Sequence, residues 1–413
     1  MKSICIIGAG PAGLMAAVIA ARAGASVAVL ERRSAAGTKL LLTGGGRCNL
    51  THDGTPADFV RACMPYGNSL KAAFYTLSPQ ELIDFFQTRG IKMITEPNGC
   101  VFPKDKRAVD VRNILLHEAK QHGAHWLPDS RVLKIEKSND RFTVYTQEQT
   151  IAASAVIIAS GGVSWPQTGS TGDGYELARR LGHSVVLPMG ILCPIICKET
   201  WPGTLQGTSL EQVAVTVKCG SGNTVCTGAA VFTQNGLGGF AAFDVTRATA
   251  DAVRQGKPIP VTLDFCPPHS KERIEAEWID AFAAHPQKEL LSRLALYVPK
   301  RVAERILIMA DVNRKISGNQ LRRDQRRRLL GLLKEMPLTV TGHGSLEKAT
   351  VTRGGIPGSE IDFKTMQSRL CEGLFFAGEV IDVDGPCGGY NLQIAFSTGA
   401  LAGHSAAEMS QRL

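Results

Sequence analysis

Ile4-Cys5-Ile6-Ile7-Gly8-Ala9-Gly10-Pro11-Ala12-Gly13, followed by an alanine-rich stretch, a second apolar run from Ser26 to Leu30 and then Glu31, decides the fold. Strand, glycine turn, helix and strand in that order make a dinucleotide-binding βαβ unit. Gly8 allows the tight turn out of the strand, Gly10 lets a pyrophosphate approach the backbone, and Gly13 lets the helix pack closely on the sheet. The phosphates of such a ligand would meet the free N–H groups and positive dipole end of a helix that starts near Pro11 and Ala12. Proline suits that first turn, where no N–H partner is needed. Glu31 stands 18 positions after Gly13, near the roughly 20-residue offset at which an acid accepts hydrogen bonds from ribose hydroxyls. It favours an unphosphorylated adenosine ribose, and by itself leaves NAD and FAD equal.

Lys2, the apolar stretch and Arg32-Arg33 also have the outline of a signal peptide or membrane span. Gly8, Gly10, Pro11, Gly13, Arg22 and Gly24 interrupt the run, and no run elsewhere reaches the ~18 apolar residues of a spanning helix. No membrane partner is expected. With 413 residues, 44% of them hydrophobic and 20% charged, the chain suits a soluble protein of two or three domains. Eleven cysteines without a C-x-x-C pair argue against a disulfide scaffold and a zinc ribbon, so no metal is expected and a reducing cytoplasm is the natural compartment. Cys193 and Cys197 read as buried strand thiols. The net charge of +9 and the run Arg322-Arg323-Asp324-Gln325-Arg326-Arg327-Arg328 invite a polyanion. Because Leu329-Leu330-Gly331-Leu332-Leu333 follows, the run reads first as the solvated face of a half-buried helix, with nucleic acid as the lesser reading.

Strand and helix signals alternate up to residue 190. Helices are expected at Pro79 to Arg89 and Val109 to His122, a hairpin at Arg131 to Lys137 and Arg141 to Thr146, and a buried strand at Ala155 to Ala159. That alternation predicts a doubly wound α/β sheet. Residues 191–267 change to short strands, such as Val213 to Lys218 and Thr224 to Thr227 around a turn at Gly220-Ser221-Gly222-Asn223, as in a small antiparallel sheet or barrel. Residues 268–336 read as a helical insert, 337–355 as a return to the β-rich domain, and 356–413 as the second part of the nucleotide domain. In the last part Leu374 to Glu379 is a strand with its turn, and Ile394 to Ala407 a helix of small residues.

Three more glycine sites accompany the fingerprint. Thr43-Gly44-Gly45-Gly46-Arg47-Cys48-Asn49 carries three consecutive glycines, whose entropic cost is best explained by close backbone approach to a ligand. Arg47 is a candidate phosphate ligand and Asn49 a candidate for a ribityl or ring group. Ser160-Gly161-Gly162 ends a strand at the rim where open α/β sheets bind ligands. Gly378-Glu379 and the stretch from Gly385 through Gly389, Asn391, Leu392, Gln393 and Ile394 precede or open a helix. Its N–H groups suit a ring that gains negative charge, as a reduced flavin does at N1 and O2.

Together the segments GAGPAGLMAA (8–17), TGGGRCNLT (43–51), GGVSWPQTGSTGDGYELARRLGH (161–183), LTVTGHGSLEKATVTRGGI (338–356) and AGEVIDVDGPCGGYNLQIAFSTGALAG (377–403) closely resemble the BaiN/YhiN-type, aminoacetone oxidase-like flavoproteins, bacterial FAD-dependent oxidoreductases. The resemblance implies a discontinuous FAD-binding Rossmann-like domain with an inserted β-barrel-like domain and a helical insert. It also implies non-covalent FAD at Gly8 to Gly13, Glu31, Arg32, Thr43 to Asn49, Gly378, Glu379 and Asn391 to Ile394, with Val132 placed to touch adenine through its backbone. Gln234 to Phe240 and Cys387 depart from the pattern on the substrate side.

The expectation is therefore hydride transfer at flavin N5 with a small organic molecule. The resemblance leaves open whether that is reduction of an activated C=C bond or oxidation of an amine. A flavoprotein acting on RNA through the basic helix is the alternative. With one dinucleotide fingerprint and no second, a dedicated NAD(P) domain is not expected, although NAD(P)H remains a candidate transient donor. Tyr390, Arg353 and His52 lie in motif-rich segments, yet each reads first as a structural hydrogen-bonding residue. Cys48 and Cys387 read as packing or turn residues.

Overall fold

The computed structural model describes residues 3–219 and 222–412. The chain forms two compact units, one from residues 1–190 and 350–413 and the other from residues 191–349. Of the turn expected at Gly220 to Asn223, Gly220 and Ser221 lie outside the described residues.

In the first unit, strand β1 (Ser3–Ile7) is flanked by β2 (Ser26–Leu30) and by Ala155–Ile158, all parallel. The seven-stranded sheet runs in the order Ile361–Asp362, Gln367–Ser368, Leu374–Phe376, Ala155–Ile158, β1, β2, His125–Leu127. Strands from both ends of the chain thus share one sheet, the Leu374–Phe376 strand pairing parallel with Val156 to Ile158. Helix α1 (Pro11–Arg22) has Gly10 as N-cap and Pro11 in its first turn, and buries most of its small residues. The C-terminal helix Tyr390–Arg412 packs on it through glycines. A Cβ at Gly399 would lie 2.3 Å from the Ala12 carbonyl oxygen, and one at Gly403 2.5 Å from that of Ala16. Backbones this close exclude any side chain.

The expected helices stand at Pro79–Gln87 and Ala108–Gln121. The first is started by Ser78, whose hydroxyl accepts from the Glu81 N–H (3.2 Å) while the Glu81 carboxylate accepts from the Ser78 N–H (2.7 Å). Such a capping box satisfies two orphan donors at once. Val132–Ser138 and Arg141–Thr146 form the hairpin.

The second unit is built on a closed antiparallel barrel, in the order Ile195–Cys197, Gly236–Gly238, Gly222–Thr233, Ser209–Cys219, Ile259–Asp264, Met336–His343, with the last strand pairing back on the first. Four α-helices between Lys271 and Lys334 are inserted between the last two strands. In Arg323–Lys334 the buried Leu329, Leu330 and Leu333 join the core of this unit, while Asp324 pairs with Arg322 (3.3 Å) and Arg328 (3.2 Å), and Arg326 with Glu275 (2.8 Å). Residues 350–355, read from sequence as barrel, group with the first unit, where Val351–Gly355 pairs with Val186–Ile191.

Two buried groups have measurable consequences. The His183 ring lies between Glu360 (2.8 Å) and the Ser368 hydroxyl (2.8 Å). Burial pushes its pKa below the ordinary value, against the opposing pull of Glu360. The unfolded chain then takes up the proton more readily, so this contribution is whole above about pH 6.5 and is lost as pH falls toward the depressed native value. The melting midpoint should drop between about pH 7 and pH 5, and less steeply in His183→Gln. Equal slopes in the two proteins would reject the assignment. Among the ten described cysteines only Cys387 is not buried. Burial pushes Cys5, Cys48, Cys197 and Cys266 up to about 12, which leaves almost no thiolate to react. Iodoacetamide at neutral pH followed by peptide mapping should find Cys387 alkylated first among these ten, and the rest only after unfolding.

Candidate functional site

The site lies in the first unit, at the carboxyl ends of β1, β2 and Ala155–Ile158. Gly8 leaves β1 at φ +101°, and a Cβ there would sit 2.6 Å from the Ala159 carbonyl oxygen. Gly13 is tighter still, since its Cβ would lie 1.9 Å from the Gly8 oxygen. Gly10 differs from both. Its backbone is extended (φ −75°, ψ −176°) and no atom lies within 4 Å of a Cβ built on it. No side chain caps the helix at this end, so the first-turn N–H groups of α1 face a space suited to an anion.

Glu31 closes the turn from the end of β2. Its carboxylate accepts from the N–H groups of Ala9 (2.9 Å) and Arg33 (3.1 Å). Burial raises its pKa, with those two bonds and Arg32 pulling the other way. The Ser130 N–H donates to the Glu31 carbonyl (2.7 Å), which brings the hairpin starting at Val132 to the same edge. Arg32 is held by Asp173 (3.1 Å) and by the Thr171 hydroxyl (2.5 Å).

The Gly37 N–H donates to the Ala9 carbonyl (2.9 Å), laying the next segment along the turn. Two residues on, the Lys39 ammonium donates to both oxygens of Glu379 (2.8 and 3.0 Å) and to the Ser164 hydroxyl (2.6 Å). The Glu379 carboxylate also accepts from the Ser164 hydroxyl (2.7 Å) and the Thr352 N–H (3.0 Å). Gly378 adjoins α1, its built Cβ 2.8 Å from that of Ala12. Ser160 and Gly161 (φ +77°) complete this rim.

Two hydroxyls here are orphaned: Ser160 Oγ and Tyr175 Oη are buried and have no hydrogen-bond partner. Tyr175 is pushed up by burial and then by the negative charges of Glu379 and Asp382. Buried hydroxyls without a partner fit a polar ligand with its own donors and acceptors.

The Thr43–Asn49 loop bends through positive φ at Gly44, Gly45, Gly46 and Cys48. Thr43 closes it, its hydroxyl donating to the Leu40 carbonyl (2.7 Å) and its carbonyl accepting from the Cys48 N–H (3.0 Å). With its amide oriented to suit its neighbours, Asn49 donates to the Thr51 carbonyl (3.1 Å) and accepts from the Gly389 N–H (3.2 Å), so this loop meets the one opening the C-terminal helix. Gly389 is confined there, for its Cβ would lie 2.2 Å from the Thr51 oxygen.

Several side chains singled out from sequence have partners within the protein. Arg47 pairs with Glu96 (2.8 Å) and lies over the Phe102 ring at 4.0 Å. Asn391 folds back on its own loop, donating to the carbonyls of Gly385 (2.9 Å) and Pro386 (3.2 Å) and accepting from the Gly385 N–H (2.9 Å). Gln393 is buried between the Thr51 hydroxyl (2.6 Å) and the Leu77 carbonyl (3.0 Å). Leu392 is half-buried and Ile394 buried. His52 stacks on Tyr390 at 4.7 Å with both ring nitrogens facing carbonyl oxygens, of Asp53 (2.7 Å) and Asn98 (3.0 Å). Arg353 forms a buried two-point ion pair with Asp384 (2.6 and 2.9 Å). Sequence reading missed Lys39, Ser164, Thr352 and Tyr175. Only the position of Lys39 just before the glycine loop signalled any of them.

The HI0933-like protein Rossmann domain model matches residues 2–405. The chain is 30% identical over 412 residues to the 3-dehydro-bile acid delta(4,6)-reductase of Clostridium scindens, covering 99% of this chain and 100% of the relative. It is 31% identical over 402 residues to the ribosomal RNA dihydrouridine synthase of Haemophilus influenzae, with 95% of each chain covered. Among solved structures, the 3-ketosteroid delta1-dehydrogenase from Sterolibacterium denitrificans in complex with 1,4-androstadiene-3,17-dione shares the fold, with a TM-score of 0.51 at 12% identity, covering 99% of this chain and all of that one. No helix among the described residues is long and apolar enough to cross a membrane.

Proposed function

The chain belongs to the HI0933-like Rossmann family of FAD-dependent oxidoreductases, and from that membership we propose that it reduces a carbon–carbon double bond conjugated to a carbonyl. The observation that carries the cofactor is Gly10, where an unstrained glycine faces open space under an uncapped helix N-terminus. Nothing in the protein itself demands a glycine there, and a pyrophosphate does. FAD, when bound, supplies two-electron chemistry at N5.

The residues that would hold it are Gly8 to Gly13 at the phosphates, Glu31 at the ribose, the Val132 backbone at adenine, Ser160, Gly161, Gly378 and Glu379 along the rim, and the loops Thr43–Asn49 and Gly389–Ile394 at the ring. Arg32, Arg47, Asn391 and Gln393 contribute by fixing the segments that carry them, because their side chains already have protein partners. The N-terminus of helix Tyr390–Arg412 supplies N–H groups suited to negative charge that grows on a reduced ring.

The two relatives' names support this bond type. A delta(4,6)-reductase of a 3-dehydro-bile acid and a dihydrouridine synthase both saturate a C=C bond conjugated to a carbonyl, adding two electrons and two protons. An amine oxidase would run the flavin in the opposite direction. Reconstituted protein should therefore be reduced anaerobically by NADH, NADPH or dithionite and then mixed with a 4-en-3-one or 4,6-dien-3-one steroid. Return of the oxidised flavin spectrum with formation of the saturated product supports the reading. Reduction of the flavin by amines, with no reoxidation by any enone or by uridine, would overturn it.

A second reading, the same chemistry on RNA, is favoured by the charge of the helical insert. Residues 268–336 hold fifteen Lys and Arg against nine Asp and Glu. If that surface grips RNA, binding should weaken with a log–log salt slope of about −0.7 to −0.9 per phosphate contacted.

A further inference from the structure

We propose that Lys39 sets FAD affinity by neutralising Glu379, so that a carboxylate can stand beside the cofactor's pyrophosphate; this rests on the FAD reading above. Glu379 follows Gly378, which packs on Ala12 in the first turn of α1. From the other side, a Cβ at Gly162 would lie 2.8 Å from Glu379 Oε1. The carboxylate is thus held one residue on from the glycine that packs against the first turn of α1, the end where phosphates bind, with its side chain only 21% exposed.

A negative charge so placed repels a dianion, and partial burial strengthens the repulsion. Lys39 answers it. An ammonium has three donors, and all three are used, on Ser164 Oγ and the two Glu379 oxygens. The frame behind it is rigid: Ser164 and Thr352 are fully buried, and the Thr352 hydroxyl accepts from the N–H groups of Val163 (2.9 Å) and Ser164 (3.0 Å). With its donors spent, Lys39 acts through Glu379. It is a positioning residue.

The test measures FAD binding to apoprotein by flavin fluorescence at low and high salt, with apoprotein melting as the folding control. Lys39→Gln keeps hydrogen-bond donors and removes the charge, so FAD affinity should fall about tenfold or more, which is ~1.4 kcal/mol, and less at high salt. Lys39→Arg should bind nearly as wild type. Lys39→Gln combined with Glu379→Gln should regain most of the loss, because the repelling charge is gone. Unchanged affinity in Lys39→Gln, or a double variant as weak as the single one, would overturn the role of Lys39. Failure of the wild-type apoprotein to bind FAD would instead remove the flavin reading, and the proposal with it.

Discussion

Gly10→Ala should fold as stably as the wild type and bind FAD ten- to a hundredfold more weakly, whereas Gly13→Ala should lose both stability and binding. The two glycines stand three residues apart in one turn, yet their surroundings differ. At Gly13 an added Cβ would lie 1.9 Å from the Gly8 carbonyl oxygen and 3.3 Å from a methyl of Ile6. Backbone cannot yield as a side-chain tip can, so α1 must lift off the sheet, at a cost of about 1–3 kcal/mol or more. At Gly10 the backbone angles suit alanine and the methyl meets nothing. Restricting the unfolded chain there is neutral or stabilising, by at most about 1 kcal/mol. The methyl instead takes the space into which a pyrophosphate must come, so the steric cost appears in the dissociation constant at about 1.4 kcal/mol per factor of ten. Melting curves with and without FAD separate the two variants. Equal FAD affinity of Gly10→Ala and wild type would remove the phosphate assignment of this turn.

Arg353→Met should be among the most destabilising single changes in the first unit. The side chains of Arg353 and Asp384 are 6% and 0% exposed. Removing the guanidinium takes two charge-assisted hydrogen bonds and the countercharge from a buried carboxylate, at a cost of about 3–5 kcal/mol. Asp384 also exchanges backbone hydrogen bonds with Met64 (2.7 and 2.8 Å), so its displacement disturbs the start of the Gly385–Gly389 loop, and flavin binding should weaken too. Arg353→Met with Asp384→Leu removes both charges and should cost less than Arg353→Met alone. Denaturant titration of the single and double variants measures this. A double variant less stable than Arg353→Met would show that the pair does more than neutralise itself.

The fold and the outline of the site were legible where the information is local. Gly8, Gly10, Gly13 and Glu31 are one supersecondary unit, whose spacing follows from a strand, a turn and a helix of standard length. The alternation before residue 190 and the short strands after it likewise report periodicity, which needs no knowledge of distant neighbours. Side-chain roles were less legible, because a residue's partner can be hundreds of positions away. Lys39 meets Ser164 and Glu379 across 125 and 340 positions. Arg47 reads from sequence as a candidate phosphate ligand, and its partners Glu96 and Phe102 lie about fifty positions on. Gln393 sits in a motif that reads as cofactor-facing, and one step of helical rotation turns it toward Thr51 and Leu77. A motif reports which backbone approaches a ligand more securely than which side chain does.

The chain's route through the first unit also bears on how the protein is made. The chain leaves the unit at Gly190 and returns to it at Thr350, so a ribosome working from the N-terminus finishes the barrel and its helices before it emits Leu374–Phe376 and Tyr390–Arg412. Until then the apolar face of α1 and one edge of Ala155–Ile158 have no cover, and such surfaces invite aggregation. The second unit, contiguous in sequence, can fold during that interval. Gly399 and Gly403 then seat the last helix against Ala12 and Ala16, and the nucleotide cradle is among the last parts of the molecule to be completed.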